Sequence, residues 1–413
     1  MNRINQIKNL TVLLSYFLTV FLLGCNEEGR VDHIDYSAPA PVQVSQVTIR
    51  NTNGGAVLKY KVPADKNLMY VKAVYDIQPG MERQTKSSAF GDSIILEGFG
   101  DTKPHDVLLY SVGKNEKMSE PLPVQVNPLT APVHLASVRL VETFGGIAIY
   151  VDNPKKAELA IEFMLDTTNN GYKNVRTYYT SSAKTRFTYR GLDGEREYNC
   201  AAYLRDRWKN YTEMTPARLT PMFEEFIPKN TWTHIILDGD NYLAIELNRP
   251  EYRPEKAWDG IINNENMMFA PTPAPFPHWV TWDMGMTAII GRLKIWHRGP
   301  GTRAWINNPA NVKKFELWGS MNPNPDGSWD ETWIPLGSFE CVKPSEGEMV
   351  TDADHYYANV EGIDFDMGVD EFSPDPFVPV RFIRFKCNET FEGATPAGTY
   401  YLNEISFWGK ILN

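Results

Sequence analysis

Gly54-Gly55-Ala56-Val57-Leu58 recurs as Gly145-Gly146-Ile147-Ala148-Ile149, and the spacing of the two copies decides how the first half of the chain is organised. At the same offset of about 91 residues, Ala40-Pro41-Val42 returns as Ala131-Pro132-Val133, Val47 as Val138 and Pro63 as Pro154. Several elements held at one spacing mark an internal repeat. Within it, Val57, Lys59 and Lys61 alternate with Leu58, Tyr60 and Val62, the period of a half-buried strand. Short β-rich runs between Gly, Pro, Asn and Asp clusters continue through each copy. Each copy nears its end on an apolar strand with a tyrosine, Val107-Leu108-Leu109-Tyr110 and Cys200-Ala201-Ala202-Tyr203.

Ser119-Glu120-Pro121 then leads into a last strand that stops at Pro128. This layout, with its proline-rich start, resembles fibronectin type III modules over roughly residues 39–219. The resemblance implies two immunoglobulin-like sandwiches, residues 39–128 and 129–220. In the second copy, Asp206-Arg207-Trp208-Lys209-Asn210-Tyr211 admits two readings. Arg and Trp faces can stack on a ligand. Alternatively, Asp206 and Asn210 bond the backbone of a turn while Trp208 packs on the neighbouring module.

Composition shifts after Pro221: ten of the eleven tryptophans lie between Trp232 and Trp408, which sets residues 221–413 apart as a domain. Its motifs run Ala257-Trp258-Asp259-Gly260, then residues 279–285 (WVTWDMG), 291–296 (GRLKIW) and 313–320 (KKFELWGS). They continue with residues 333–337 (WIPLG), 380–385 (VRFIRF) and 402–409 (LNEISFWG). Phe315 and Leu317 share one face and Glu316 and Trp318 the other, as in a half-buried sheet. Asp283 before Met284-Gly285 suits a turn leaving a strand, and the prolines of residues 271–277 exclude a central strand there. The succession resembles the discoidin-like (coagulation factor type C) domain, a jelly-roll barrel also used as a carbohydrate-binding module. The whole chain is therefore expected to be all-β: two fibronectin type III-like sandwiches followed by a discoidin-like jelly roll.

The resemblance places ligand contacts in loops at one barrel end, here residues 297–308, 322–331 and 391–399. Sugars favour an aromatic platform with planar donors and acceptors beside it. The loop 297–308 (HRGPGTRAWINN) holds those types together, with Gly299 and Gly301 permitting close backbone approach. His297, Arg298, Trp305 and Asn307 are its candidates, with Trp305 as platform and Arg298 and Asn307 as the positional matches to the family. The opposing reading pairs Arg298 with a carboxylate and makes Trp305 a plug of the barrel end. Trp329, after the turn signal Asn324-Pro325-Asp326-Gly327-Ser328, is either an exposed ring or folded back on the sheet. Phe391 is a further candidate. The resemblance also implies a structural Ca²⁺ held by Asp259 and Glu404, whose hard oxygens suit it. Residues 261–265 (IINNE) depart from the family pattern, and a buried Glu404 bonded to loop backbone is the alternative.

The amino end sets the expected location. Arg3 and Lys8 precede an apolar run over residues 10–23 that has the length of a signal-peptide core. Leu22-Leu23-Gly24-Cys25 resembles the lipobox of bacterial lipoproteins, which implies cleavage after residue 24, lipid on Cys25 and a tether over residues 25–38. Asn26-Glu27-Glu28 resembles a surface-export signal, so the outer face of the outer membrane is expected, with the membrane reached through the lipid alone. The formal charge of −10 argues against nucleic acid, whose affinity rests on phosphate neutralisation, and suits a neutral glycan better than a polyanion. With Cys25 lipidated, Cys341 and Cys387 either pair or stay as buried thiols beside Cys200.

No nucleophile elbow, zinc-protease motif or phosphate loop occurs, and the clusters Asp352/Asp354/His355 and Asp364/Asp366/Asp370 read as solvated loops. The expectation is a non-catalytic surface lipoprotein of a glycan-utilisation system. It would bind extracellular polysaccharide or oligosaccharide, alongside other outer-membrane glycan-uptake proteins. The alternatives are a spacer, adhesin or protein-partner module, and a jelly-roll enzyme.

Overall fold

The structure, a computed structural model, describes residues 34–166, 171–240, 249–263, 268–270, 276–299, 304–345, 348–368, 377–393 and 399–412. Cys25 and the expected signal segment lie outside the described residues. The fold is all-β, as expected, and contacts divide the chain into two compact units. One holds the described residues up to Ser137 with Asn153–Leu159 and Leu204–Thr212; the other holds Val138–Asp152, Ala160–Tyr203 and Glu213–Asn413.

The repeat is structural as well as sequential. Strands β1 (Ser45–Thr52), β2 (Gly55–Lys61), β3 (Leu68–Gln78), β4 (Met81–Ser88), β5 (Ser93–Glu97), β6 (His105–Gly113) and β7 (Leu122–Val126) form sheets β5-β2-β1 and β4-β3-β6-β7. The second copy supplies β8 (Ser137–Thr143), β9 (Gly146–Asp152), β10 (Leu159–Asp166), β11 (Lys173–Thr180), β12 (Lys184–Arg190), β13 (Tyr198–Arg205) and β14 (Thr215–Leu219). Their order, β12-β9-β8 and β11-β10-β13-β14, is the same pattern strand for strand. The correspondence extends to single bonds. Gly54 and Gly145 both sit in the left-handed region, at φ 66° and 65°, where only glycine is at ease. Each donates its N–H to the chain leaving its own sandwich, Gly54 to Leu129 O and Gly145 to Met222 O, both at 2.9 Å.

The turn at Asp206 proves structural. Asp206 Oδ1 accepts the N–H groups of Trp208 and Asn210 at 2.9 Å each. Asn210 Nδ2 donates to Gly98 O at 3.2 Å, and Gln78 Nε2 donates to Asn210 Oδ1 at 3.0 Å. A Cβ on Gly98 would stand 3.0 Å from the Trp208 ring and one on Gly100 only 2.2 Å from Asn210 Oδ1. Arg207 lies 4.4 Å over the Trp208 ring and pairs with Glu97 at 3.0 Å. The Trp208 ring therefore packs on the first module.

The carboxyl-terminal domain contributes β15 (Glu225–Phe226), β16 (Thr233–Ile235), β17 (Met268–Ala270), β18 (His278–Trp296), β19 (Val312–Ser320), β20 (Ile334–Glu340), β21 (Ile363–Asp366), β22 (Pro379–Thr390), β23 (Tyr400–Leu402) and β24 (Glu404–Ile411). They make a jelly roll organised by β18, a strand of 19 residues. Its first part pairs with β16 and β22, and its second with β21 and β24. The expected turn at Met284-Gly285 is instead a corner inside this one strand. Gly285, at φ 70°, takes the bend; its N–H donates to Asp283 Oδ1 at 2.7 Å, and Arg381 grips the same carboxylate at 2.8 and 2.7 Å. Leu317 and Phe385 from one side and Leu293, Ile405 and Phe407 from the other meet in a single apolar core.

Within the second unit a largely buried set of charges joins β12 to the barrel. Asp366 accepts from Arg186 and Arg190 at 2.5 Å and from Thr188 Oγ1 at 2.7 Å, while Arg292 faces Glu224 and Asp364. Truncating one member leaves the opposite charges buried without a partner, the costly case for such pairs. Asp366→Ala is expected to destabilise the second unit by about 3 kcal/mol, read as a lower midpoint in urea unfolding.

Candidate functional site

The predicted loop splits in two. His297 and Trp305 point inward: both are 1% exposed. Trp305 N–H donates to His297 Nδ1 at 3.3 Å, which puts the ring proton on Nε2, where it donates to Val312 O at 3.0 Å. Burial pushes the His297 pKa down to about 3, so the ring is neutral. Trp305 Nε1 donates to Asp354 O at 3.0 Å, and the ring meets Phe391 edge-on at 5.9 Å. Trp305 itself sits at φ 55°, a strained setting for a bulky residue that the surrounding contacts must hold. The platform reading of Trp305 is thus corrected: Trp305 and His297 form a buried plug with half-buried Phe391 against it, and neither Trp305 nor His297 offers a ring face to a flat ligand. Arg298 and Asn307 do reach the surface. The Arg298 guanidinium stacks 4.6 Å over Tyr401, and the Asn307 amide lies 3.2 Å from His355 Nε2. Residues 300–303 and 394–398 of the flanking loops, Gly301 among them, lie outside the described residues.

The carboxylate clusters are committed to structure. Asp354 caps helix α1 (Asp352–Tyr356) and accepts from Ser345 and Thr351 through both side chains and backbone. Burial alone would raise its pKa; these bonds hold it below the usual carboxylate value. Asp364 and Asp366 answer the arginines described above, and Asp370 lies outside the described residues. Cys200, Cys341 and Cys387 are free, buried thiols, the second of the two expected states.

The expected metal position is likewise filled by the chain. Glu404 Oε1 meets the Lys229 ammonium, and Glu404 Oε2 accepts the N–H of Gly260 at 3.1 Å. Asp259 accepts from Ile261 N at 2.9 Å and pairs with Lys256 at 2.9 Å. Burial lowers the Lys229 pKa to about 8, with Asp259 opposing the shift, so the amine still carries its charge at neutral pH. Both carboxylates are already neutralised by lysines, and this donor set does not fit a Ca²⁺ ion.

Aromatic rings do reach the surface elsewhere, on the outer face of β18, β22 and β19. Inward residues Val280, Ile383, Phe385, Phe315 and Leu317 alternate with outward Trp279, Arg384, Lys386, Glu316 and Trp318. The β19–β20 connection lies across this face. Gly327, at φ 74°, brings it so close to Asp238 that a Cβ would stand 1.5 Å from Asp238 O. Arg384, wholly buried beneath it, lies against the rings of Trp329 and Trp333 at 4.6 and 4.2 Å. Its donors reach Thr281 Oγ1 at 3.0 Å, Gly327 O at 3.3 Å and Asp240 Oδ1 at 3.2 Å.

Above that bed Trp329 remains 37% exposed. It stands edge-on to Trp279 at 5.5 Å and Trp318 at 4.9 Å, with Lys386 5.5 Å from its ring centre. Lys386, Trp318 Nε1 and Asn388 all converge on Glu316, at 3.0, 2.8 and 2.8 Å. The result is a shallow aromatic patch rimmed by paired charges and an amide. Of its members the sequence singled out Trp329 as a candidate. Trp279, Lys386 and Asn388 were legible only through the two-residue alternation, which assigns a face but cannot say that a distant loop lies on it.

Three stretches match known families, each described as a domain of unknown function: residues 41–128 (DUF4959), 129–230 (DUF5126) and 258–409 (DUF5000). No curated protein matches the chain. Among solved structures the chain is similar to a SusE-like protein, with 28% identity, 67% of this chain and 97% of that one covered, and a TM-score of 0.40. It is also similar to CBM32-3 from a family 31 glycoside hydrolase of Clostridium perfringens, at 14% identity, 45% and 95% coverage and a TM-score of 0.29. A segment of two fibronectin type III domains from chicken tenascin shows 15% identity, 43% and 99% coverage and a TM-score of 0.21.

Two outcomes test the plug. Trp305→Ala should cost about 3–5 kcal/mol in denaturant unfolding of the barrel, the range for a deleted core aromatic. His297 has a folded pKa of about 3 against an ordinary 6.5, so the unfolded chain binds the extra proton between those values. The His297 contribution to stability is therefore complete above about pH 6.5 and falls toward pH 3, at up to about 1.4 kcal/mol per pH unit. His297→Gln should flatten that slope in unfolding midpoints measured across the window.

Proposed function

We propose that this protein is a non-catalytic lipoprotein of the bacterial surface that captures extracellular glycan on its jelly roll. The observation carrying this reading is Trp329, an indole more than a third exposed and bedded on Arg384 and Lys386. An aromatic ring fixed in place presents an apolar face to the C–H side of a sugar at little entropic cost. The surrounding groups suit hydroxyls. Lys386 has donors beyond the one given to Glu316, and the Asn388 amide oxygen adds an acceptor. Charges in the patch are matched, Lys386 with Glu316 and Arg384 with Asp240, which favours a neutral polysaccharide over an anionic one. A shallow face admits internal stretches of a chain. Lipid on Cys25 would hold the patch at the cell surface, beside the uptake proteins that such capture serves.

The reading is tested by titrating the soluble chain against plant, host and microbial polysaccharides with tryptophan emission as readout. A neutral glycan should bind, with little dependence on salt. Trp329→Ala should weaken that binding by about 2 kcal/mol, the loss expected for a central aromatic, enough to erase a millimolar interaction at about −4 kcal/mol. Binding that survives Trp329→Ala but is lost in Arg298→Ala would move the site to the barrel end. Absence of binding across a broad panel would favour the spacer or protein-partner reading. Cys25→Ser should leave the precursor uncleaved and missing from the outer-membrane fraction.

A further inference from the structure

The charge chemistry around Glu404 supports a conclusion separate from glycan binding. The carboxylate opens β24, and the loop at residues 257–263 must be fastened to it across the barrel end. Four groups on those two segments have surplus negative or partial negative charge: Glu404, Asp259, Ile405 O and Ser406 Oγ. A divalent ion could draw such oxygens together. Here a single ammonium gathers the three on β24, and the loop is joined to it through Glu404. Lys229 Nζ meets Glu404 Oε1 and lies 3.2 Å from Ser406 Oγ and 3.4 Å from Ile405 O. These three acceptors match the three donors of the ammonium. The other oxygen of Glu404 takes the Gly260 N–H at 3.1 Å, which ties the loop to the same carboxylate. Asp259 is neutralised separately by Lys256.

We propose that Lys229 is the built-in cation of this jelly roll, filling the place of a bridging metal and making the barrel independent of Ca²⁺. The position is reached because Lys229 sits on the short segment between β15 and β16. Ile227 on that segment is buried and donates its N–H to Phe407 O at 3.0 Å, while Trp232 N–H closes a turn on Lys229 O at 3.1 Å. Backbone bonds on both sides thus aim the amine at the start of β24. A permanently attached cation needs no loading and cannot be stripped by chelators.

Thermal unfolding of the purified chain in excess EDTA and in 5 mM CaCl₂ decides the point. The expected result is the same Tm in both. A bridging site of even about 0.1 mM affinity would raise Tm by roughly 5 °C under those conditions, and such a rise overturns the proposal. Lys229→Met and Glu404→Gln, alone and together, supply the second measurement. If the ammonium does the bridging, each single change lowers Tm and the double change costs clearly less than the two added together. Strictly additive losses would mean that the two groups do not act as a pair, and the proposal fails. Should Lys229→Met not fold at all, the Ca²⁺ and EDTA comparison on the unaltered chain still decides between the ammonium and a metal.

Discussion

A guanidinium taken wholly out of water must have its donors bonded and its charge balanced, and Arg384 imposes that demand on the outer face of the barrel. Its position on β22 is fixed by alternation, since Ile383 and Phe385 on either side belong to the core. Pointing outward, it would ordinarily be solvated. Instead Thr281, Asp240 and Gly327 accept from it, and the rings of Trp329 and Trp333 pack against it. Burial would lower its pKa, and Asp240 opposes that shift. The β19–β20 connection is thereby pinned to the sheet, and Trp329 is held with one side bedded and the remainder open. The exposed indole and the buried guanidinium are two views of one arrangement.

How far the sequence could reach is clearest from particular residues. The repeat was readable because a sandwich imposes the same strand order twice, and Gly54 and Gly145 are forced by the same left-handed turn. The alternation through residues 315–318 assigned faces because the pleat repeats every two residues. The loop at residues 297–308 misled for a physical reason. Its composition suits either a solvent-facing platform or a plug, and the choice depends on a single backbone setting, the positive φ of Trp305, that propensity does not foresee. The expected metal position shows the same dependence on distant residues. Asp259 and Glu404 looked like ligands, but Lys229, some 175 residues before Glu404 in sequence, answers one of them from a segment with no motif of its own.

The turn at Asp206–Tyr211 and the charges around Asp366 show two ways of attaching one module to the next. At the first, glycines at 98 and 100 remove side-chain bulk so that Trp208 and Asn210 can settle against bare backbone. At the second, arginines of β12 reach acids of the barrel, and the energy lies in avoiding unpaired charge more than in net attraction. The second ties the stability of β12 to the ionisation of its neighbours.

The long strand β18 sets the order in which the barrel is able to form. It needs β22 along its first half and β24 along its second, while β15, which comes before all of them, closes on β24 as well. Every stretch from residue 225 to residue 411 must therefore be present before the sheet has a complete set of neighbours. The local pairing of β19 with β20 adds nothing to β18, which has only short β16 before it in the chain, and contacts so distant in sequence make folding slow. A chain emerging from its amino end has the first sandwich complete while the barrel waits. Through that interval the inward apolar face of β18 stays uncovered, which makes this the period of greatest risk from aggregation.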